Sequence, residues 1–245
     1  MNVDVSETTP QPRRVAMISG ATGGLGRVLA AHLAADGWDV ALLGTNAERL
    51  EELRGELDLP PERALLVAVD LRERAPAAEA VAAVHAHFGR VDGLAHLVGG
   101  WTGGPRCVDT DDGPYAEMLD QHLWSTLNLL RPLVPHMTAA GHGRIVAVSS
   151  PAASSPDPGQ SAYAVGKAAQ EALLAAVARE VAGTGVTVNV LRVRAIDMDG
   201  VRDRDPHGKG ATMTTPDEIC AAIRYIFSDR ARVVSGQRIG LHSAG

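Results

Sequence analysis

Val15-Ala16-Met17-Ile18-Ser19-Gly20-Ala21-Thr22-Gly23-Gly24-Leu25-Gly26-Arg27-Val28-Leu29 decides how the rest of the chain is read. Val15 to Ser19 is a short apolar run closed by a glycine, the pattern of a strand buried on both faces. From Leu25 the period changes. Leu25, Val28, Leu29 and Leu33 recur at helical spacing up to Asp36, and Gly37 stands where a helix stops. Glycines at the join permit a tight turn. They also let an anion reach the helix start, where unpaired N–H groups and the helix dipole favour negative charge. The spacing is G-x-x-x-G-x-G, on Gly20, Gly24 and Gly26, rather than G-x-G-x-x-G. The loop alone therefore leaves two readings: a cradle for a dinucleotide pyrophosphate, or a strand–helix turn that is simply rich in glycine.

Outward from this loop the same rhythm repeats. Strands are expected at 38–44, 64–69, 94–98, 144–149, 186–193 and 237–241, and helices at 47–59, 76–88, 115–140, 161–181 and 216–227. Pro132 and Pro135 are expected to kink the helix at 115–140. Continuously apolar strands alternating with helices mean an α/β fold, a seven-stranded parallel sheet with helices on both faces. The 245 residues suit one such domain, 14–245, preceded by a loose polar tail, 1–13. The stretch 197–215 has little apolar content and reads as a candidate substrate lid.

Composition narrows the function. Hydrophobic residues are 45% and charged residues 21%, which excludes extended disorder. A net charge of −6 with interspersed signs gives no footprint for nucleic acid or an anionic membrane, and no apolar run reaches membrane-spanning length. Two cysteines make no disulfide framework and suggest a reducing, cytoplasmic setting. The motifs of P-loop NTPases, zincins, zinc ribbons and G-x-S-x-G hydrolases are absent, and no metal ligand set is read. His85 and His87 read as surface residues.

Three residues carry proton chemistry. Tyr163 and Lys167 stand four apart at the head of a helix, so phenol and ammonium share a face. The ammonium is expected to lower the tyrosine pKa and make it a proton donor or acceptor nearer neutral pH. The 23 basic residues include only two lysines, Lys167 and Lys209, and the chain has three tyrosines. Chance gives such a pair odds of roughly 0.02, so the spacing favours function over a solvated surface pair. Lysine in an arginine-writing chain implies a need for a compact, tunable ammonium. Ser150, just past the fifth strand, is placed to orient a carbonyl, or is one loop serine among several.

Where such sites read the adenosine ribose, at the end of the second strand, this chain has Gly44, Thr45 and Asn46. No carboxylate stands there to repel a 2′-phosphate, and Thr45, Asn46 and Arg49 are donors, which leans toward NADP over NAD. Asp70, ending the third strand, reads as an acceptor for an adenine amino group, as the N-cap of the next helix, or as both.

Taken together, these residues resemble the classical short-chain dehydrogenase/reductase family over about Val15 to Leu241. The resemblance implies a Rossmann fold with strand order 3-2-1-4-5-6-7 and NAD(P)-linked hydride transfer to or from a small carbonyl or alcohol. It implies Tyr163 as general acid/base, Lys167 as its partner on the nicotinamide ribose, and Ser150 on the substrate oxygen. It implies a cofactor site of Gly20, Thr22, Gly23, Gly24, Leu25, Gly26, Thr45, Asn46, Asp70, Leu71, Val98, Gly99, Gly100, Tyr163, Lys167 and Ile196. It also implies a homo-oligomer, tetramer or dimer, built through 115–140 and 161–181.

Departures from the family pattern keep alternatives open. N-N-A-G after the fourth strand is replaced by His96-Leu97-Val98-Gly99, which removes an expected prop under the nicotinamide. The family's relay asparagine becomes His122, read either as a water-holding relay titrating near neutrality or as a packing substitution. Pro-Gly after the sixth strand becomes Val193-Arg194, with Arg194 expected to intrude on the carboxamide pocket, and the following Thr becomes Met198. The segment Gly99-Gly100-Trp101-Thr102-Gly103-Gly104 is locally similar to dihydropteridine reductases, and Trp101 there is read as a stacking surface for a flat substrate or as a cover for the fold's own apolar edge. Two other readings follow: a non-redox dinucleotide-binding or regulatory protein, or an enzyme of this fold catalysing a non-redox step.

Overall fold

The chain is described here from a computed structural model, over residues 13–241. Val15–Ser19 forms β1, followed by α1 (Gly24–Ala35), β2 (Asp39–Gly44), α2 (Ala47–Leu57), β3 (Ala64–Ala68), α3 (Arg74–Phe88) and β4 (Gly93–His96). The second half continues with α4 (Asp112–Leu119), α5 (Ser125–Ala140), β5 (Gly143–Ser149), α6 (Ser161–Glu180), β6 (Val186–Arg192), α7 (Val201–Arg204), α8 (Pro216–Phe227) and β7 (Arg238–Gly240). Among the described residues the strands make one seven-stranded sheet in the order β3-β2-β1-β4-β5-β6-β7, parallel throughout. The expected doubly wound Rossmann-type fold is the one observed. The expected tail lies, except for its last residue, outside the described residues.

Side-chain alternation along each strand builds two cores. Met17, Ala41, Leu43 and Leu94 face a layer with α3, α5 and α6. Ala16, Ile18, Val40 and Leu42 face the opposite layer, with α1 and α8. Strand order reverses between β1 and β4, and crevices for ligands open at such switch points, at the carboxyl ends of the strands. The register brings Ser19 beside both Leu43 and His96, so the loops after β1, β2 and β4 share one edge.

The helix expected over 115–140 is interrupted, though not at its prolines. Asp120–Trp124 forms a π turn between α4 and α5, whereas α5 runs through Pro132 and Pro135. Leu129, Leu130, Leu133 and Met137 are buried along that helix, and their packing outweighs the backbone bonds the prolines delete. The π turn swings His122 inward until it is wholly buried. The 197–215 stretch is more anchored than an irregular loop. Buried Asp197 accepts the Val201 and Arg202 backbone N–H groups at 2.7 and 2.9 Å, and Arg202 pairs with Glu218 at 2.8 Å. His85, expected at the surface, is half-buried and stacks on His136 with centroids 4.3 Å apart. No helix among the described residues is long and apolar enough to cross a membrane.

Candidate active site

The glycine loop is shaped by backbone contact. Gly20 has φ +75°, a left-handed conformation that suits glycine. A Cβ on Gly26 would stand 2.3 Å from the Gly20 carbonyl oxygen, so only glycine lets α1 sit this close to the turn. Gly23 occupies the N-cap of α1 with no side chain accepting from the first turn, which leaves those N–H groups facing outward. Two cavities meet over this loop, sharing Gly20, Gly23, Leu97, Val98 and Gly99. One, about 380 Å³, runs past Thr22, Thr45, Asp70, Leu71 and Arg72. The other, about 280 Å³, runs past Gly24, Leu25, Gly26, Gly100, His122, Tyr163, Lys167 and Ile196. A two-lobed crevice with a helix N-terminus at its waist fits a dinucleotide, one nucleoside per lobe.

Fifteen of the sixteen expected cofactor residues, Tyr163 and Lys167 included, line these lobes; Asn46 does not. Its side chain caps α2, accepting the Arg49 N–H at 2.9 Å. Asp70 is not the N-cap of α3; Glu73 holds that position. Instead Asp70 accepts the backbone N–H of Arg72 at 3.0 Å and is gripped by its guanidinium, with one contact of 2.5 Å. The Arg72 hydrogen bond holds the Asp70 carboxyl below its ordinary value despite partial burial. Arg72 is a cavity residue that the sequence reading missed. Arg194 does not intrude: it is exposed, and Ile196 is the residue of this segment that reaches the cavity.

Tyr163 is half-buried at the head of α6 and shares a side-chain hydrogen bond with Ser150, itself buried. The expected acidified phenol is not what the site holds. Burial raises the Tyr163 pKa, and the Ser150 hydrogen bond only partly offsets this. The Lys167 head group lies away from the phenol, donating to the Val148 carbonyl at 2.8 Å and to Gln170 Oε1 at 3.3 Å. Burial brings the Lys167 pKa down to about 7, with Glu171 opposing. Another tyrosine, Tyr115, donates to Ser161 Oγ at 2.9 Å beside Cys107, and is absent from the lining of either lobe.

His122 is edge-on to Tyr163, with ring centroids 5.6 Å apart, and is sandwiched between Gly99 and Gly166. Its Nε2 lies 3.1 Å from the Gly100 carbonyl, which only accepts, so Nε2 carries the proton and Nδ1 presents a lone pair. Nδ1 is buried with no hydrogen-bond partner among the described residues. Burial first, then Lys167, pushes the His122 pKa down to about 3, so it does not titrate near neutrality as expected.

The missing asparagine prop has a substitute. His96 is wholly buried and accepts the Ser19 hydroxyl at Nδ1, 2.8 Å away. Its Nε2 donates toward Ser125 Oγ at 3.4 Å, whose own proton goes to the Gln121 carbonyl. The ring thus ties the end of β1 to the start of α5 beneath the crevice. Trp101 is 64% exposed and its ring covers Gly103.

A parallel sheet with this strand order, a glycine cradle at its switch point, and Tyr163 with Ser150 and Lys167 at the mouth define a dinucleotide-dependent enzyme of the Rossmann class. The short chain dehydrogenase family profile matches residues 14–207, and the chain belongs to that family. It is an NAD(P)-dependent oxidoreductase. Nodulation protein G of Rhizobium sp. (strain N33) is 30% identical over 234 residues, covering 92% of this chain and 94% of that protein. The fold is shared with NAD+-bound xylitol dehydrogenase (TM-score 0.85, 21% identity, covering 96% of this chain and 100% of the other). It is shared equally with NADP-bound ElxO (TM-score 0.85, 18% identity, covering 94% and 97%). None of these is a dihydropteridine reductase, and the likeness of the 99–104 segment to that branch stays local.

Proposed function

We propose that this chain reduces a carbonyl group on a small molecule, with Tyr163 as the proton donor and NADP as the preferred dinucleotide. The observation that carries the reading is the meeting of Tyr163, Lys167 and the α1 N-terminus around one cavity. When bound, the dinucleotide supplies a hydride. The chain's part is to hold, orient and protonate. The α1 N–H groups receive the pyrophosphate, and Lys167 lines the lobe meant for the nicotinamide riboside. Tyr163, with its pKa raised, is a neutral phenol at pH 7, the form that gives a proton to a carbonyl oxygen. Ser150 orients that oxygen through its hydroxyl. His122, neutral and with its Nδ1 lone pair inward, is a packing wall rather than a charged relay.

The NADP preference rests on charge. The carboxylate lining the adenosine lobe, Asp70, is neutralised by Arg72, and β2 ends on Gly44 and Thr45. Arg72→Ala exposes the Asp70 charge, so NADPH affinity is expected to fall by about tenfold relative to NADH. Oligomerisation through α5 and α6 is supported by exposed Trp124, at the end of the π turn that leads into α5, and exposed Val165 on α6. The 197–215 segment serves as a substrate cover, anchored by Asp197 and by the Arg202–Glu218 pair. A nicotinamide carrying transferable deuterium tests the reaction: label arrives at the carbinol carbon of a reduced ketone. A product formed without label or nicotinamide oxidation contradicts it and favours a non-redox step.

A further inference from the structure

Buried polar groups not used in this scheme gather on the inner face of α6. We propose that Gln170 is a positioning residue, whose side-chain amide, locked by Thr126, holds one proton of the Lys167 head group and keeps it charged and aimed; this rests on the reading of Lys167 as part of the site.

The direction of the amide follows from counting protons. Thr126 Oγ1 donates its only proton to the His122 carbonyl at 2.5 Å. Toward Gln170 it therefore accepts, and Gln170 Nε2 donates to it at 2.9 Å. That turns Oε1 toward Lys167, which donates to it at 3.3 Å. Gln170 and Thr126 are buried, so water does not compete for these bonds. The chain Lys167 to Gln170 to Thr126 to the His122 carbonyl thus runs one way, from α6 to the π turn. Gln170 stands three residues after Lys167, on the same helical face.

Among the described residues the head group has two acceptors, the Val148 carbonyl and Gln170. Two of three ammonium protons are thereby fixed. Nζ lies 3.6 Å from the point where a Gly99 Cβ would stand, at the floor of the lobe. The titratable groups around it are His96 from β4, His122 from the π turn, and Tyr163 and Glu171 on α6 itself. Both histidines are neutral, Tyr163 is protonated, and the Glu171 carboxylate is bonded to Arg192 and Arg238. No anion therefore binds the ammonium directly, and the amide acceptor carries weight out of proportion to its polarity. Burial already leaves Lys167 balanced near pH 7, so the loss of one acceptor decides its charge.

The chain's two lysines make the test clean. With lysine labelled with heavy carbon at Cε, two signals are expected, and Lys209→Arg assigns them. In Gln170→Leu the Lys167 midpoint is expected to fall by about one pH unit. In Thr126→Val, which frees the amide to turn, it falls less, and Thr126→Ser restores it. The alkaline limb of kcat/KM moves with the signal. A Lys167 midpoint unmoved in Gln170→Leu or in Thr126→Val overturns the proposal, and either variant suffices should the other fail to fold. The titration reads the Gln170–Lys167 coupling without turnover, so inactivity toward every carbonyl would count against the functional reading alone.

Discussion

Gly26→Ala perturbs the cofactor cradle without adding charge or removing a functional group. The new methyl would stand 2.3 Å from the Gly20 carbonyl oxygen, 2.7 Å from that of Ala21 and 2.8 Å from the Ala21 carbonyl carbon. All three are backbone atoms, so no rotamer relieves the contact. The turn must move by roughly 1 Å to restore ordinary separations of about 3.5 Å. Overpacking of this kind costs about 1–3 kcal/mol, and the better helix propensity of alanine returns up to about 1 kcal/mol. A net loss of about 2 kcal/mol lowers Tm by about 4–8 °C in a chain of this length. The displaced loop also misaims the α1 N–H groups. Losing one hydrogen bond to a charged phosphate weakens dinucleotide binding by about 10–100-fold. Gly24→Ala is the control for stability: the atoms nearest its methyl all belong to the Met198 side chain, at 2.6 Å from Cε, and that side chain can rotate. Thermal melts and NADPH fluorescence titrations of both variants decide the matter. Wild-type stability and affinity in Gly26→Ala, or an equal fall in Tm in Gly24→Ala, refutes the cradle.

Two further outcomes follow from buried charge. His122 is depressed to about pKa 3 from its ordinary 6.5, so between these values the unfolded chain binds a proton that the folded chain refuses. Stability is therefore lost as pH falls from about 6.5 toward 3, and His122→Asn should lessen this loss by up to about 1.4 kcal/mol per pH unit in urea unfolding. An unchanged slope would mean the ring accepts protons in the folded state. Glu171 is buried and bonds Ser149, Arg192 and Arg238. Burial alone would raise its pKa, but the bonds from Arg192 and Ser149 bring it below the ordinary value. Glu171→Gln removes the carboxylate that both Arg192 and Arg238 bond and is expected to cost about 3 kcal/mol, checked by calorimetry.

The fold was legible because its signals are local and repeated. Apolar runs, glycine stops and the Tyr163–Lys167 spacing each read from a few residues, and the sheet order came with the family resemblance. What escaped depends on contacts between distant segments. Arg72 covers Asp70 from two residues away, yet only the cavity shows that the pair faces the adenosine lobe. The π turn that buries His122 has no periodic mark, whereas the conspicuous prolines of α5 do not break the helix. The Tyr163 pKa went the wrong way because spacing reports a shared face, while burial and the actual aim of Lys167 toward Val148 need three dimensions. His96 looked like a lost asparagine pair, and becomes a prop only when Ser19 and Ser125 are seen on either side of it.

The central claim is that the Tyr163 phenol protonates a substrate oxygen beside a bound nicotinamide. Tyr163→Phe removes that proton and little else, so NADPH consumption with a turned-over ketone should fall by about 10²–10⁴-fold while NADPH binding and Tm stay at wild-type values. Turnover at the wild-type rate in that variant would contradict the account.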